Sequence, residues 1–153
     1  MKISNNFTLH EAIRSSTAAK HGINNKPNDE ALIEIVHTAM SMQAVRSALG
    51  DRVITPSSWY RSLELNRVID SDDHSDHVQG KAVDFTVQGL TTREAFNIIR
   101  NSGIAYKQLI LEFEERDSGG WLHISFPKIG QYSKRQNLIA TRVNDETIYT
   151  EVK

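Results

Sequence analysis

The chain contains no cysteine, which rules out disulfides and thiolate ligands and leaves histidine and carboxylate as its metal chemistry. It also lacks any apolar run of signal-peptide or transmembrane length. The expectation is a chain made in the cytoplasm that neither inserts into a membrane nor exports itself. An excess of one charge is missing too: 18 Lys and Arg stand against 19 Asp and Glu, for a formal net charge of -1. No global positive field therefore draws it to nucleic acid or to an anionic surface. There is no internal repeat and no low-complexity tract. What remains is 153 residues, the length of one ordinary domain with its own core, and residues 1–153 are read as a single, monomeric domain.

Within it, the stretch Ser75 to Phe85, SDHVQGKAVDF, sets His77 and Asp84 on either side of Gly80. Both are normal ligand types for a borderline-soft divalent ion, but two ligands do not hold Zn²⁺ tightly. His123, in GGWLHISF, is the best candidate for a third. Strand parity joins these segments, because side chains of an extended chain alternate between faces. In Lys81 to Thr86, Val83 and Phe85 point one way and Asp84 the other. In Gln108 to Phe113, Leu109, Leu111 and Phe113 share a face opposite Glu112. In Trp121 to Phe126, Leu122, Ile124 and Phe126 share a face opposite His123. Three such strands in one sheet bring Asp84, Glu112 and His123 out on one polar face.

The order SxHxxGxAxDF, then a strand ending in Glu, then WxHxS, resembles the zinc D-alanyl-D-alanine carboxypeptidase group. That group includes phage endolysin peptidases, and its wider fold takes in lysostaphin-type enzymes and the hedgehog signalling domain. The resemblance extends to FTLHEAIRSSTAAKHGINNKP, SWYRSLELN, QLILEF, WLHISF and YSKRQNL, which together cover most of the chain. It implies an α+β fold, a small antiparallel sheet with helices packed on one face. It also implies Zn²⁺ held by His77, Asp84 and His123, and hydrolysis of amide bonds in peptidoglycan stem peptides. The bond would be that of a D-Ala-D-Ala carboxypeptidase or an L-Ala-D-Glu endopeptidase, in a phage lysis or virion-associated enzyme released to the wall by other factors. Two other readings stand beside it: a non-catalytic zinc-stabilised binding module, as in hedgehog, and a virion structural protein of the same fold.

A two-His, one-carboxylate set leaves a coordination position open, as catalytic zinc sites do. Amide hydrolysis then needs a carboxylate to carry a proton to the leaving amine. Glu112 is the first choice because its parity aims it at the metal. Some relatives carry an acidic residue three positions before the second His, where this chain has Gly120, so Glu114, Glu115 and Asp117 stand as alternatives. Arg61 corresponds to the family's YRS arginine, which binds a substrate carboxylate or carbonyl, a task that suits a planar guanidinium; otherwise it only begins the Ser62 to Ile69 helix. Ser75 either orients substrate or a ligand, or is a turn residue. Trp121 either walls the substrate groove or packs at a strand start. His74, in the acidic loop DSDDHSD, ranks below His77 because it lacks the Gly80 and Asp84 context. That loop also lacks the Gly and terminal Glu of an EF-hand. His10 reads as a helix-surface residue, His37 as partly buried, and Tyr132, Lys134 and Arg135 as a solvated loop.

The remaining elements follow from local signals. Thr8 and Glu11 form a capping box that opens a short helix, and His21 to Pro27 reads as a turn-rich connector. Asn28 caps a long helix whose apolar residues run from Leu32 to Leu49, with its Met residues as core filler and Gly50 as its stop. Arg52 to Tyr60 reads as a strand that Pro56 places at an edge or bulge. Thr91 or Thr92 caps a further helix stopped by Gly103. Glu114 to Gly120 turns one hairpin, and Asn144 with Asp145 turns a second between Leu138–Val143 and Thr147–Val152.

Overall fold

The computed structural model describes residues 1–153 and builds them into an α+β fold. Helix α1 (Leu9–Ile13) carries the expected box: the Thr8 hydroxyl accepts from the Glu11 amide while the Glu11 carboxylate accepts from the Thr8 amide. A second short helix, α2 (Ser16–His21), follows, capped by Ser15 and stopped by Gly22 at φ 63°. It has no counterpart in the sequence reading. The long helix α3 (Asp29–Ala48) is capped by Asn28, whose side chain accepts from the Ala31 amide, and Gly50 follows its end at φ 71°. Met42 is buried, whereas Met40 is 64% exposed, so only one of these two methionines fills the core.

Strand β1 (Ile54–Ser58) lies at a sheet edge, with its register broken between Pro56 and Ser58. This is where a residue without an N–H can be tolerated. Helix α4 (Leu63–Val68), capped by Ser62, leads through the acidic loop to β2 (Ala82–Val87). Helix α5 (Thr92–Arg100) has Thr91 and Glu94 as its capping box and ends at Asn101, so Gly103 is not its stop. Then come β3 (Gln108–Glu112), β4 (Trp121–Ser125), β5 (Gln136–Val143) and β6 (Glu146–Glu151).

The six strands form one sheet in the order β1-β2-β4-β3-β5-β6. Every neighbouring pair is antiparallel except β3 and β5, which run parallel and depart from the all-antiparallel expectation. The β5–β6 turn places Asn144 and Asp145 at φ 49° and 62°. Two successive positive φ values suit the tight hairpin turn that Asn and Asp tolerate best.

One face of β2, β4 and β3 carries Val83, Phe85, Leu122, Ile124, Leu109 and Leu111, all buried against Ile35, Ala39, Met42 and Val45 of α3 and Phe96 and Ile99 of α5. Each such side chain contributes roughly 1.5–3 kcal/mol by leaving water. The alternate residues Asp84, His123, Ile110 and Glu112 lie on the opposite face. Phe113 corrects the parity expectation. At φ 53° the chain leaves the strand, and Phe113 packs with Ile110, Ala140 and Trp121 instead of with the main core.

Candidate metal centre

Register sets the first two donors. Asp84 of β2 faces His123 of β4, and His123 faces Ile110 of β3. One row along the same face, Trp121 pairs with Glu112, Glu112 with Ala140 of β5, and Ala140 with Tyr149 of β6.

The third donor comes from the loop before β2, and the loop is tied down at several points. Buried Asn66 donates to the Asp72 carbonyl at 2.7 Å. Asp76 pairs with Lys81 at 3.1 Å and Lys107 at 2.7 Å. Gly80, at φ 76°, lies so close to α3 that a Cβ would meet Ile35 Cγ1 at 2.6 Å. The segment after β1 then clasps the loop. Trp59 Nε1 donates to the Gly80 carbonyl at 3.2 Å, and the Arg61 amide donates to the His77 carbonyl at 3.1 Å. His77 Nδ1 lies 2.6 Å from the Trp59 carbonyl. A carbonyl only accepts, so that contact assigns the proton to Nδ1 and leaves Nε2 with a free lone pair.

The three residues fit a divalent metal. His77 Nε2 is buried without a hydrogen-bond partner, although it approaches Asp84 Oδ1 at 3.3 Å. Two donors on a tetrahedral zinc sit about 3.3 Å apart for the usual bond lengths. His123 Nδ1 lies 2.8 Å from the same carboxylate oxygen, and one donor atom from each residue falls within 4.8 Å of the others. An orphaned buried nitrogen converging with a second imidazole on one carboxylate is what a bound cation would satisfy.

Electrostatics match this geometry. Burial pushes the Asp84 carboxyl up, but His77 and His123 outweigh it and hold it well below the usual carboxylate range. Burial lowers His77 despite the neighbouring Asp84. Burial also acts to lower His123, but its hydrogen bond to Asp84 prevails and raises it. Burial thus favours the neutral form of His77, the form in which imidazole binds a metal.

Glu112 opens onto the same cavity, of about 580 Å³, as the three donors, together with Arg61, Ser75 and Trp121. Burial pushes its carboxyl up to about 7; Asp84 reinforces this, while His123, Arg116 and Arg61 oppose it. Gly120 cannot carry the acid found in some relatives. It sits at φ 68°, and a Cβ there would fall 1.9 Å from the Glu112 carbonyl oxygen. The alternatives in the turn do not line this cavity: Glu114 is paired with Arg93, Glu115 accepts from the Arg142 amide at 3.0 Å, and Asp117 lines a different cleft.

Arg61 is fixed rather than free. Nε donates to Ser58 Oγ at 3.0 Å, one terminal nitrogen donates to Asn66 Oδ1 at 3.1 Å, and the other lies 3.6 Å from Asp84. The Ser75 hydroxyl accepts from the His77 amide at 3.3 Å, so it orders the turn as well as lining the cavity. Trp121 packs on Phe113, with Arg116 over its ring. His74 lines the cavity but is exposed and outside the three-donor group. His10 is exposed and His37 half-buried, as expected. Tyr132, Lys134 and Arg135 do not line this cavity; Arg135 instead stacks on Tyr106 and donates to the Ile99 and Arg100 carbonyls.

Sequence reasoning missed Tyr149, which lines the cavity from β6. The hairpin signal was visible, but nothing local in the sequence said that β5 would join beside β3. No helix is long and apolar enough to cross a membrane. A family model described as Peptidase M15 matches residues 5–125, a stretch that ends with β4. No curated protein matches the chain.

Proposed function

The chain belongs to the peptidase M15 family, whose members are zinc-dependent metallopeptidases, and from that premise we propose that it hydrolyses an amide bond in peptidoglycan stem peptides. The bond is that of a D-Ala-D-Ala carboxypeptidase or an L-Ala-D-Glu endopeptidase, and the setting is phage lysis or a virion-associated enzyme that reaches the wall after release from the cytoplasm. Residues 1–153 act as one monomeric domain on this reading.

His77 through Nε2, His123 through Nδ1 and Asp84 through a carboxylate oxygen are the zinc ligands. Bound there, the ion supplies Lewis acidity toward a scissile carbonyl. Glu112 is the proton carrier: it accepts the proton of the attacking water and delivers it to the leaving amine. The observation that carries this role is the place of Glu112, on the same cavity as the three donors and one row from His123 on the same face of the sheet; burial raises its carboxyl in the metal-free chain, as suits a group that takes and gives a proton. Arg61, held rigid by Ser58 and Asn66, orients a substrate carbonyl or carboxylate with less ordering cost than a free side chain. Trp121 forms a wall of the groove, and Ser75 keeps His77 in position.

The test is mass spectrometry of muropeptides after digestion of purified peptidoglycan by the zinc-loaded chain, with new amino termini expected and none in the presence of a chelator. A chain that holds one zinc yet releases nothing from any wall preparation would instead be a binding module.

A further inference from the structure

A second cavity, of about 260 Å³, adjoins the metal centre and shares Arg61 and Asp84 with the first. Its other walls include Arg14, Ser16, Thr17 and Tyr60, from the segment between α1 and α2, the start of α2 and the chain just past β1. Arg14 is exposed, and its guanidinium donates once, to the Pro56 carbonyl at 3.0 Å. It joins no ion pair. Asp84 is the one acidic residue in the lining, and Arg61, His77 and His123 already engage it.

The cavity therefore offers an unpaired guanidinium and hydroxyl groups with no free carboxylate to oppose them. That is the complement of an anion with planar, bidentate geometry. Its volume falls below the roughly 300–1,000 Å³ of pockets that enclose a whole ligand. It suits one residue of a longer substrate whose remainder occupies the larger cavity beyond Arg61.

We infer that this second cavity is a subsite for a carboxylate-bearing residue of the substrate, recognised by Arg14 and placed on the far side of Arg61 from Glu112. The inference rests on the peptidase reading above and adds to it a requirement for a free carboxylate near the scissile bond.

The test compares two synthetic stem pentapeptides that differ at the D-Glu residue, one with a free α-carboxylate and one with the carboxamide, using the zinc-loaded full chain. Wild type is expected to cleave the carboxylate peptide with a kcat/KM about 10-fold or more above that of the amide, the size of one charge-assisted contact. Arg14→Gln should bring the two peptides within about twofold of each other, with zinc content unchanged, and Arg14→Lys should keep only part of the preference, because an ammonium supplies the charge without the bidentate fork. Equal cleavage of both peptides by wild type, or an undiminished preference in Arg14→Gln, would overturn the subsite. If wild type cleaves neither peptide nor whole peptidoglycan, the peptidase reading fails separately. Calorimetric binding of the same peptides then judges the subsite: tighter, Arg14-dependent binding of the carboxylate form supports it, and equal binding overturns it.

Discussion

The two faces of β2, β4 and β3 share the same backbone hydrogen bonds and differ only in which alternate residues they present. On the helix side, Val83, Phe85, Leu109, Leu111, Leu122 and Ile124 are fully buried. On the other side, Asp84, His123 and Glu112 remain partly open around one cavity. The apolar face fixes the strands, because close-packed interiors resist sub-ångström shifts. The polar face uses that rigidity to hold Asp84, His123 and Glu112 in place, and the loop that brings His77 is tied to the segment after β1 through Trp59 and Arg61.

Adjacent substitutions separate the two faces most sharply. His123→Ala is expected to abolish stoichiometric zinc and turnover while leaving the chain folded, as read by metal analysis and circular dichroism. Leu122→Ala should cost about 2–5 kcal/mol in a denaturant titration, with one zinc still bound per folded chain. Full zinc in His123→Ala would remove that residue from the ligand set.

Within the polar face, Glu112→Gln tests whether binding and proton transfer are separable. Zinc content is expected to stay at one per chain while kcat falls by about 10²–10⁴-fold. Unchanged turnover would take the proton-carrier role away from Glu112. Gly120→Ala probes the backbone that joins the faces. Its new methyl group would meet the Glu112 carbonyl at 1.9 Å in a left-handed conformation, and about 2–5 kcal/mol of stability should be lost. If Gly120→Ala is as stable as wild type, the strand end is looser than this contact requires.

Much of this contrast was legible in the sequence because period-two alternation is a local property. The Val83/Asp84, Leu111/Glu112 and Leu122/His123 alternations predict the two faces directly. Capping at Thr8, Asn28 and Thr91 was readable for the same reason, since each cap bonds within three residues. Phe113 was misplaced because a single positive φ ends the alternation, and no Gly or Asn marks it. Helix α2 was missed because SSTAAKH offers a cap but little apolar period. The parallel pairing of β3 with β5 depends on contacts far apart in the chain, so the position of Tyr149 over the site could not be foreseen. The emptiness of the Gly120 side-chain position is visible as a departure from relatives; its cause, the nearby Glu112 carbonyl, arises only from the packing of the folded chain.

The smallest expected effect distinguishes the faces by pH alone, in the metal-free chain. The folded Glu112 carboxyl lies at about 7, above the value of about 4.3 for an unperturbed glutamate. The folded chain thus keeps a proton that the unfolded chain releases, and this contribution is complete below about pH 4 and lost as pH rises through about 7. Asp84 runs the other way: its folded carboxyl is depressed, so its contribution is present above about pH 4 and lost as pH falls. Glu112→Gln carries a permanent stand-in for the protonated acid and leaves Asp84 in place. Relative to wild type it should gain stability between about pH 5 and 8, on the order of 1–2 kcal/mol after solvent screening, with no pH-dependent gain at pH 4. Leu111→Val, its neighbour on the apolar face, should shift urea midpoints by the same amount at every pH. A Glu112→Gln difference as flat with pH as that of Leu111→Val would mean that the two faces do not differ in this respect, and that Glu112 titrates as an ordinary surface carboxylate.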